Sequence, residues 1–314
     1  MKNFFFTVVL LTGAIFCHAQ GYATKITVAL DGSGDYSSIS EAIFATKAFP
    51  DVPITIYVKN GVYEEKVEVF SWNTRLSIIG EDQDSTIITW EDHFGKMANG
   101  RNGTFHTYTM LVDANDFHGE NLTIINSSGP VGQAVAIHVE GDRVSFTNCS
   151  FQGHQDTMYL TGEGYRTYFK NCFISGTTDF IFGQGTAWFE GCEIRSRSNS
   201  YITAASTEKG DQFGFVFSNC KLTAEDGVDE VYLGRPWRKY ARTVFINCEM
   251  EKHILPVGWH EWSNEDDRST TYYAEYKSFG PGASPDTRIS WSKQLSKKEA
   301  KAHTRDKVLR GWQP

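Results

Sequence analysis

Two aspartates in this chain offer a chemistry that neither offers alone. Asp156 follows Gln155 in GHQDTMY, and Asp179 opens the run DFIFG. Each lies seven residues after a cysteine, Cys149 and Cys172 respectively, and both the cysteines and the aspartates are 23 residues apart. If FTNCSF…QDT and FKNCFI…TDF are successive coils of a repeat, the two carboxylates fall in register. Neighbouring parallel strands run about 4.8 Å apart. Carboxylates held that close cannot both ionise cheaply, so one keeps a proton while the other stays anionic. Identical side chains then supply a general acid and a nucleophile or base. A lone Asp beside Gly or Thr usually binds backbone N–H groups in its own turn. The equal offsets, and the apolar Phe180, Ile181 and Phe182 after Asp179, point instead to a carboxylate with a partner.

Amides and one arginine surround this pair in sequence. Gln133, in GPVGQAVAIHV, lies 23 residues before Asp156, and Gln155 is its direct neighbour. Glutamine carries no charge to disturb the acid pair, yet its NH₂ can donate to a developing oxyanion. A stacked amide ladder is the alternative use of these two residues. LGRPW (233–237) adds Arg235, which can hold a carboxylate through two bonds and keep it ionised. Trp237 in the same motif offers a flat face to a sugar ring. The chain has no G-x-S-x-G elbow, no H-E-x-x-H, no P-loop and no dinucleotide fingerprint.

The elements that position these residues repeat. FTNCSF, FKNCFI, FEGCEI, FSNCKL and FINCEM share one frame, with cysteines spaced by 23, 20, 28 and 28 residues. Short strands recurring at that period, with little helix, predict a parallel β-helix; a propeller blade needs about 40 residues or more. Cys149, Cys172, Cys192, Cys220 and Cys248 then form a ladder of small buried side chains. Parallel in-register thiols are poorly placed for disulfides, and no metal-finger spacing is present. Ser38 and Glu41 predict a capping box on a short N-terminal helix that covers the open end of the coil. Ser296 and Glu299 predict a second box, starting a basic helix that runs to about Leu309. Residues 91–107 are polar and Gly-rich and are expected to loop out, and 258–283 are aromatic and loop-like.

Bulk properties narrow the function. The 314 residues carry a formal net charge of −8, which disfavours a nucleic-acid partner. Residues 1–19 have a positive start, an apolar run from Phe4 to Phe16 and a small residue before Gln20, as an export signal has. The run is too short for a membrane anchor, which takes about 20 apolar residues. Residues 20–314 contain no linker and are read as a single domain of a secreted, extracellular or periplasmic, protein.

GVYEEKV, QAVAIHVEGDRVSFTNC, GHQDTMY, SGTTDFIFG and LGRPW, in that order, together resemble the pectin methylesterases (pectinesterases). The likeness runs from Val28 to the tail ending in Pro314. It implies a right-handed parallel β-helix, an all-β fold here closed by short helices at both ends. It also implies hydrolysis of the C6 methyl esters of homogalacturonan to pectate and methanol. By that resemblance Asp179 is the nucleophile and Asp156 the general acid and then base. Gln133 and Gln155 form the oxyanion hole, Arg235 orients the nucleophile, and Trp237, Tyr159 and Phe182 contact the polymer. No metal or organic cofactor is implied, and the partner is pectin, met by a monomer. Two positions depart from the family pattern: Gly132 stands where many members have His, and Thr203–Thr207 reads TAAST in place of TAQ with a nearby Arg.

Two other readings compete. A pectin-depolymerising β-helix enzyme can also use two carboxylates across a glycosidic bond. A non-catalytic pectin-binding β-helix needs no acid pair, so two Asp, two Gln and an Arg count against it. An acidic protein meeting an anionic product also requires any electrostatic attraction to be local to the cleft.

Overall fold

The computed structural model describes residues 21–98, 100–262 and 268–314, and the export segment read at 1–19 lies outside them. Among the described residues, three sheets of 11, 8 and 7 strands contain only parallel pairs. Neighbouring strands within a sheet come from successive coils; the coils of residues 54–234 each give one strand to each sheet, and the chain before and after them adds strands mainly to the 11-stranded sheet. The chain is thus a right-handed parallel β-helix, the hand that parallel crossovers take.

The repeated F-x-N-C frame, with Gly for Asn once, builds one wall and one corner of five successive coils. Phe146, Phe169, Phe189, Phe217 and Phe245 occupy paired positions in the 11-stranded sheet. Their rings stack through the core with centroids 5.5, 4.8, 4.4 and 4.5 Å apart. The residue before each cysteine turns the chain into the 8-stranded sheet through a left-handed conformation. Asn148, Asn171, Asn219 and Asn247 have φ of 51°, 52°, 54° and 53°, and Gly191 takes the same place with φ 63°. Only Gly, and to a lesser degree Asn or Asp, adopts this region at low cost. That explains FEGC among the NC motifs.

The five cysteines are buried and free, as the ladder requires. The thiols of Cys172, Cys192, Cys220 and Cys248 each donate to the carbonyl of the core Phe one coil back, at 3.7, 3.6, 3.5 and 3.6 Å. Burial pushes the Cys149 thiol up to about 12.

The N-terminal helix Ile39–Ala45 buries Ile39, Ala42 and Ile43 against the first coils. Its cap differs from the expected box. Ser38 accepts from the Glu41 N–H, but Glu41 does not return the bond. Glu65 takes that place, accepting from Ser38 Oγ, Ile39 N and Ser40 N at 2.8, 2.8 and 2.9 Å. A carboxylate there also complements the positive end of the helix. At the other end, Ser296 and Glu299 form the complete box. The expected single basic helix is instead two short ones, Lys297–Ala300 and Arg305–Val308. The break brings the His303 ring onto Tyr272, 5.7 Å away and nearly parallel. Val308 and Leu309 then pack on the outer face of the 11-stranded sheet with Tyr168, Trp188 and Val244.

Candidate active site

The 7-stranded sheet positions the chemistry. Met158–Leu160 and Ile181–Gly183 are paired neighbours in it, with Met158 opposite Ile181, so positions 156 and 179 are level just before the strands begin. Both aspartates turn the chain into this sheet in the left-handed region, Asp156 at φ 67° and Asp179 at φ 49°. Backbone bonds hold the corners: Asp156 N–H donates to Thr178 O at 3.1 Å, and Asp179 N–H to Tyr201 O at 2.8 Å. Their carboxyls are 9% and 4% exposed as residues, so both are buried acids at a strained corner.

Arg235 reaches Asp179 from two coils further on. Its Nε donates to Oδ1 at 3.0 Å and its Nη2 to Oδ2 at 2.7 Å. The guanidinium is itself sandwiched, 4.0 Å from the Tyr201 ring centroid and 3.8 Å from that of Trp262. Gly234 allows the approach, because a Cβ there would lie 2.0 Å from Thr203 Oγ1. Burial raises the Asp179 carboxyl, and the Arg235 bonds and charge oppose that rise. Asp156 stands well above the ordinary carboxylate value, first through burial and then through the charge of Asp179. The environment therefore favours a protonated Asp156 beside an ionised Asp179.

Gln133 and Gln155 form a parallel bridge on neighbouring coils. The 23-residue spacing of Gln133 from Asp156 does not become a pairing. The N–H groups of Ala136 and Ile137 both donate to Thr157 O, at 2.8 and 3.2 Å, and this local slip sets Gln133 against Gln155. Gln133, Gln155, Asp156, Asp179, Phe182, Arg235 and Trp237 all line one cleft of about 270 Å³. Tyr159 stands beside it, stacked on Phe182 and tilted against Phe105, with both centroids 4.8 Å away. Below Tyr159, burial pushes His138 down to about 4, so it is neutral. An activated carboxylate, a neutral acid and two amides around one hollow can attack a carbonyl, hold its oxyanion and protonate a leaving group.

Residues 25–312 match the family described as Pectinesterase. The chain belongs to the pectinesterase family. Pectinesterase 31 of Arabidopsis thaliana is 38% identical over 88% of this chain and 89% of its own length. A pectin methylesterase structure from carrot superposes with a TM-score of 0.85 and 32% identity, covering 91% of this chain and 93% of that one. A pectin methylesterase in complex with a hexasaccharide gives a TM-score of 0.81 at 31% identity, over 94% and 99% of the two chains. This pectinesterase-family chain spans about half the length of several other curated relatives it matches. Among its described residues, no helix is long and apolar enough to cross a membrane.

Sequence reasoning missed part of the cleft of this pectinesterase-family chain. Arg101, Thr104, Phe105 and Trp262 line it as well, and Tyr201 supports Arg235 from below. The first three lie on the 3₁₀ turn Gly100–His106, in the segment expected to loop out. They sit outside the repeat, so no spacing rule reaches them. The aromatic richness of GWHEW was the only signal for Trp262. Of the departures, Gly132 has φ 115° and open space around it, while Ala204 lines the cleft and Ala205 O accepts from Trp237 N at 2.9 Å.

Proposed function

We propose that this secreted chain hydrolyses the C6 methyl esters of homogalacturonan to pectate and methanol. The observation that carries the reading is the buried Asp179 clamped by Arg235 in the same cleft as Asp156 and the glutamine pair. A carboxylate oxygen of Asp179 attacks the ester carbonyl. The NH₂ groups of Gln133 and Gln155 hold the tetrahedral oxyanion. As that intermediate collapses, the carbonyl–methoxy bond breaks and Asp156 gives its proton to the departing oxygen, releasing methanol. The polymer is left joined to Asp179 as a mixed anhydride. Asp156, now anionic, takes a proton from water as it attacks the anhydride carbonyl, which returns both carboxyls to their starting states and frees the acid product.

Arg235 acts before and after the chemistry. Two bonds fix the attacking oxygens, and the ring sandwich keeps water from the far side of the guanidinium. Trp237, Phe182 and Tyr159 offer apolar faces to galacturonate rings. Support for a pectic substrate comes from the oligosaccharide complex of the related structure.

The test is incubation with highly methylated pectin while methanol and polymer length are followed together. Methanol at constant chain length is the expected result. New reducing ends would mean a depolymerising enzyme, and binding without methanol a non-catalytic one.

A further inference from the structure

An enzyme of net charge −8 acting on a polymer that grows more anionic with every turnover needs a local source of attraction. Arg101 and Arg235 are the two cations that line the catalytic cleft. Arg235 is fully committed to Asp179 and two aromatic rings. Arg101 is exposed and has no hydrogen bond or ion pair with any described residue. Nor does its charge contribute to the shifts of Asp156 or Asp179, whereas that of Arg235 contributes to both. It stands clear of the acid pair, at the rim.

Its backbone is anchored nevertheless. The adjoining turn Phe94–Lys96 is pinned by Phe94 N–H donating to Gln133 O at 2.9 Å. Gly103 packs on Met97 and Phe94, where an added Cβ would sit 3.0 and 3.1 Å away. At the far end, Lys66 Nζ donates to His106 O at 2.6 Å. The segment that carries Arg101 is therefore tied to the same backbone that presents the oxyanion amide. A planar, permanently charged fork at that place suits a carboxylate.

We propose that Arg101 is a specificity-determining residue that pairs with a free C6 carboxylate on a galacturonate near the ester under attack. The assignment rests on the pectinesterase reading above. A product carboxylate held there then improves binding of the ester beside it.

The experiment compares Arg101→Gln and Arg101→Lys with the unaltered protein, on short galacturonate oligomers either fully methyl-esterified or partly de-esterified. With Gln, the ratio of kcat/KM for partly de-esterified over fully esterified oligomers should fall about tenfold, the scale of one charge-assisted contact. The loss should appear in KM, and Lys should restore part of it. Added salt should lower the ratio for the unaltered protein and leave that of the Gln variant flat. An unchanged ratio, or equal losses on both oligomers, overturns the proposal. Absence of methanol from the unaltered protein on either oligomer would instead overturn the esterase reading itself.

Discussion

Asp179 and Arg235, 56 residues apart in sequence, meet through two parallel bonds of 3.0 and 2.7 Å. Both side chains are largely shielded, 6% and 20% exposed. Lysine can supply one such bond but not the fork. Arg235→Lys should therefore keep the fold and lower kcat by roughly 10²-fold, measured as methanol release.

The acid pair sets a pH signature. The proposed mechanism needs Asp179 ionised and Asp156 protonated, and burial raises the Asp179 carboxyl, so activity should fall as acid protonates it. Asp156 stands well above the usual value, so activity should fall again as alkali strips the proton that the proposal assigns to it. A bell-shaped kcat/KM profile is expected, and Asp156→Asn should abolish its alkaline limb. Stability carries the same sign. A carboxyl raised in the folded state costs nothing at acid pH and destabilises increasingly as pH climbs from its unfolded value through its folded one. Asp156→Asn should thus raise Tm relative to the unaltered protein more at neutral pH than at acid pH.

Arg288 and Glu275 close the far end of the coil as a buried ion pair, only 2% and 3% exposed. Arg288 also donates to the carbonyls of Leu255, Pro256 and Gly282 at 3.1, 3.1 and 2.9 Å. Removing one partner strands the other charge. Arg288→Met should cost about 3–5 kcal/mol in denaturant unfolding.

The corner residues give a gentler test. Asn247 is left-handed with φ 53°, the place that Gly191 fills two repeat frames earlier in the series. Asn247→Ala should cost about 1 kcal/mol. Asn247→Gly should cost less than that, as equilibrium unfolding would reveal.

Much of this arrangement was legible because it repeats. The 23-residue spacing of Asp156 and Asp179 survived folding because their coils are of equal length and pair without a slip. The same spacing between Gln133 and Asp156 did not, because these two coils pair one residue short of it at Gln133 and Gln155, and two short beyond the shared bonds at Thr157. Cysteines read as a ladder were found as one, while the Asn before each of four of them carried an equally plain signal, a left-handed corner, that spacing alone does not announce. Arg101 and Trp262 lay beyond reach. They enter the cleft from segments outside the coil, and where such segments fold back is decided by contacts such as Phe94 N–H to Gln133 O that no local pattern encodes.

The central claim is that Asp179 is the atom source for attack, and methanol release by Asp179→Asn tests it most directly. The variant should unfold cooperatively like the unaltered protein, yet lose about 10⁴-fold or more of kcat on methylated pectin. Asp156→Asn should lose about 10²–10⁴-fold. A folded Asp179→Asn protein that releases methanol at near-normal rate would contradict the account.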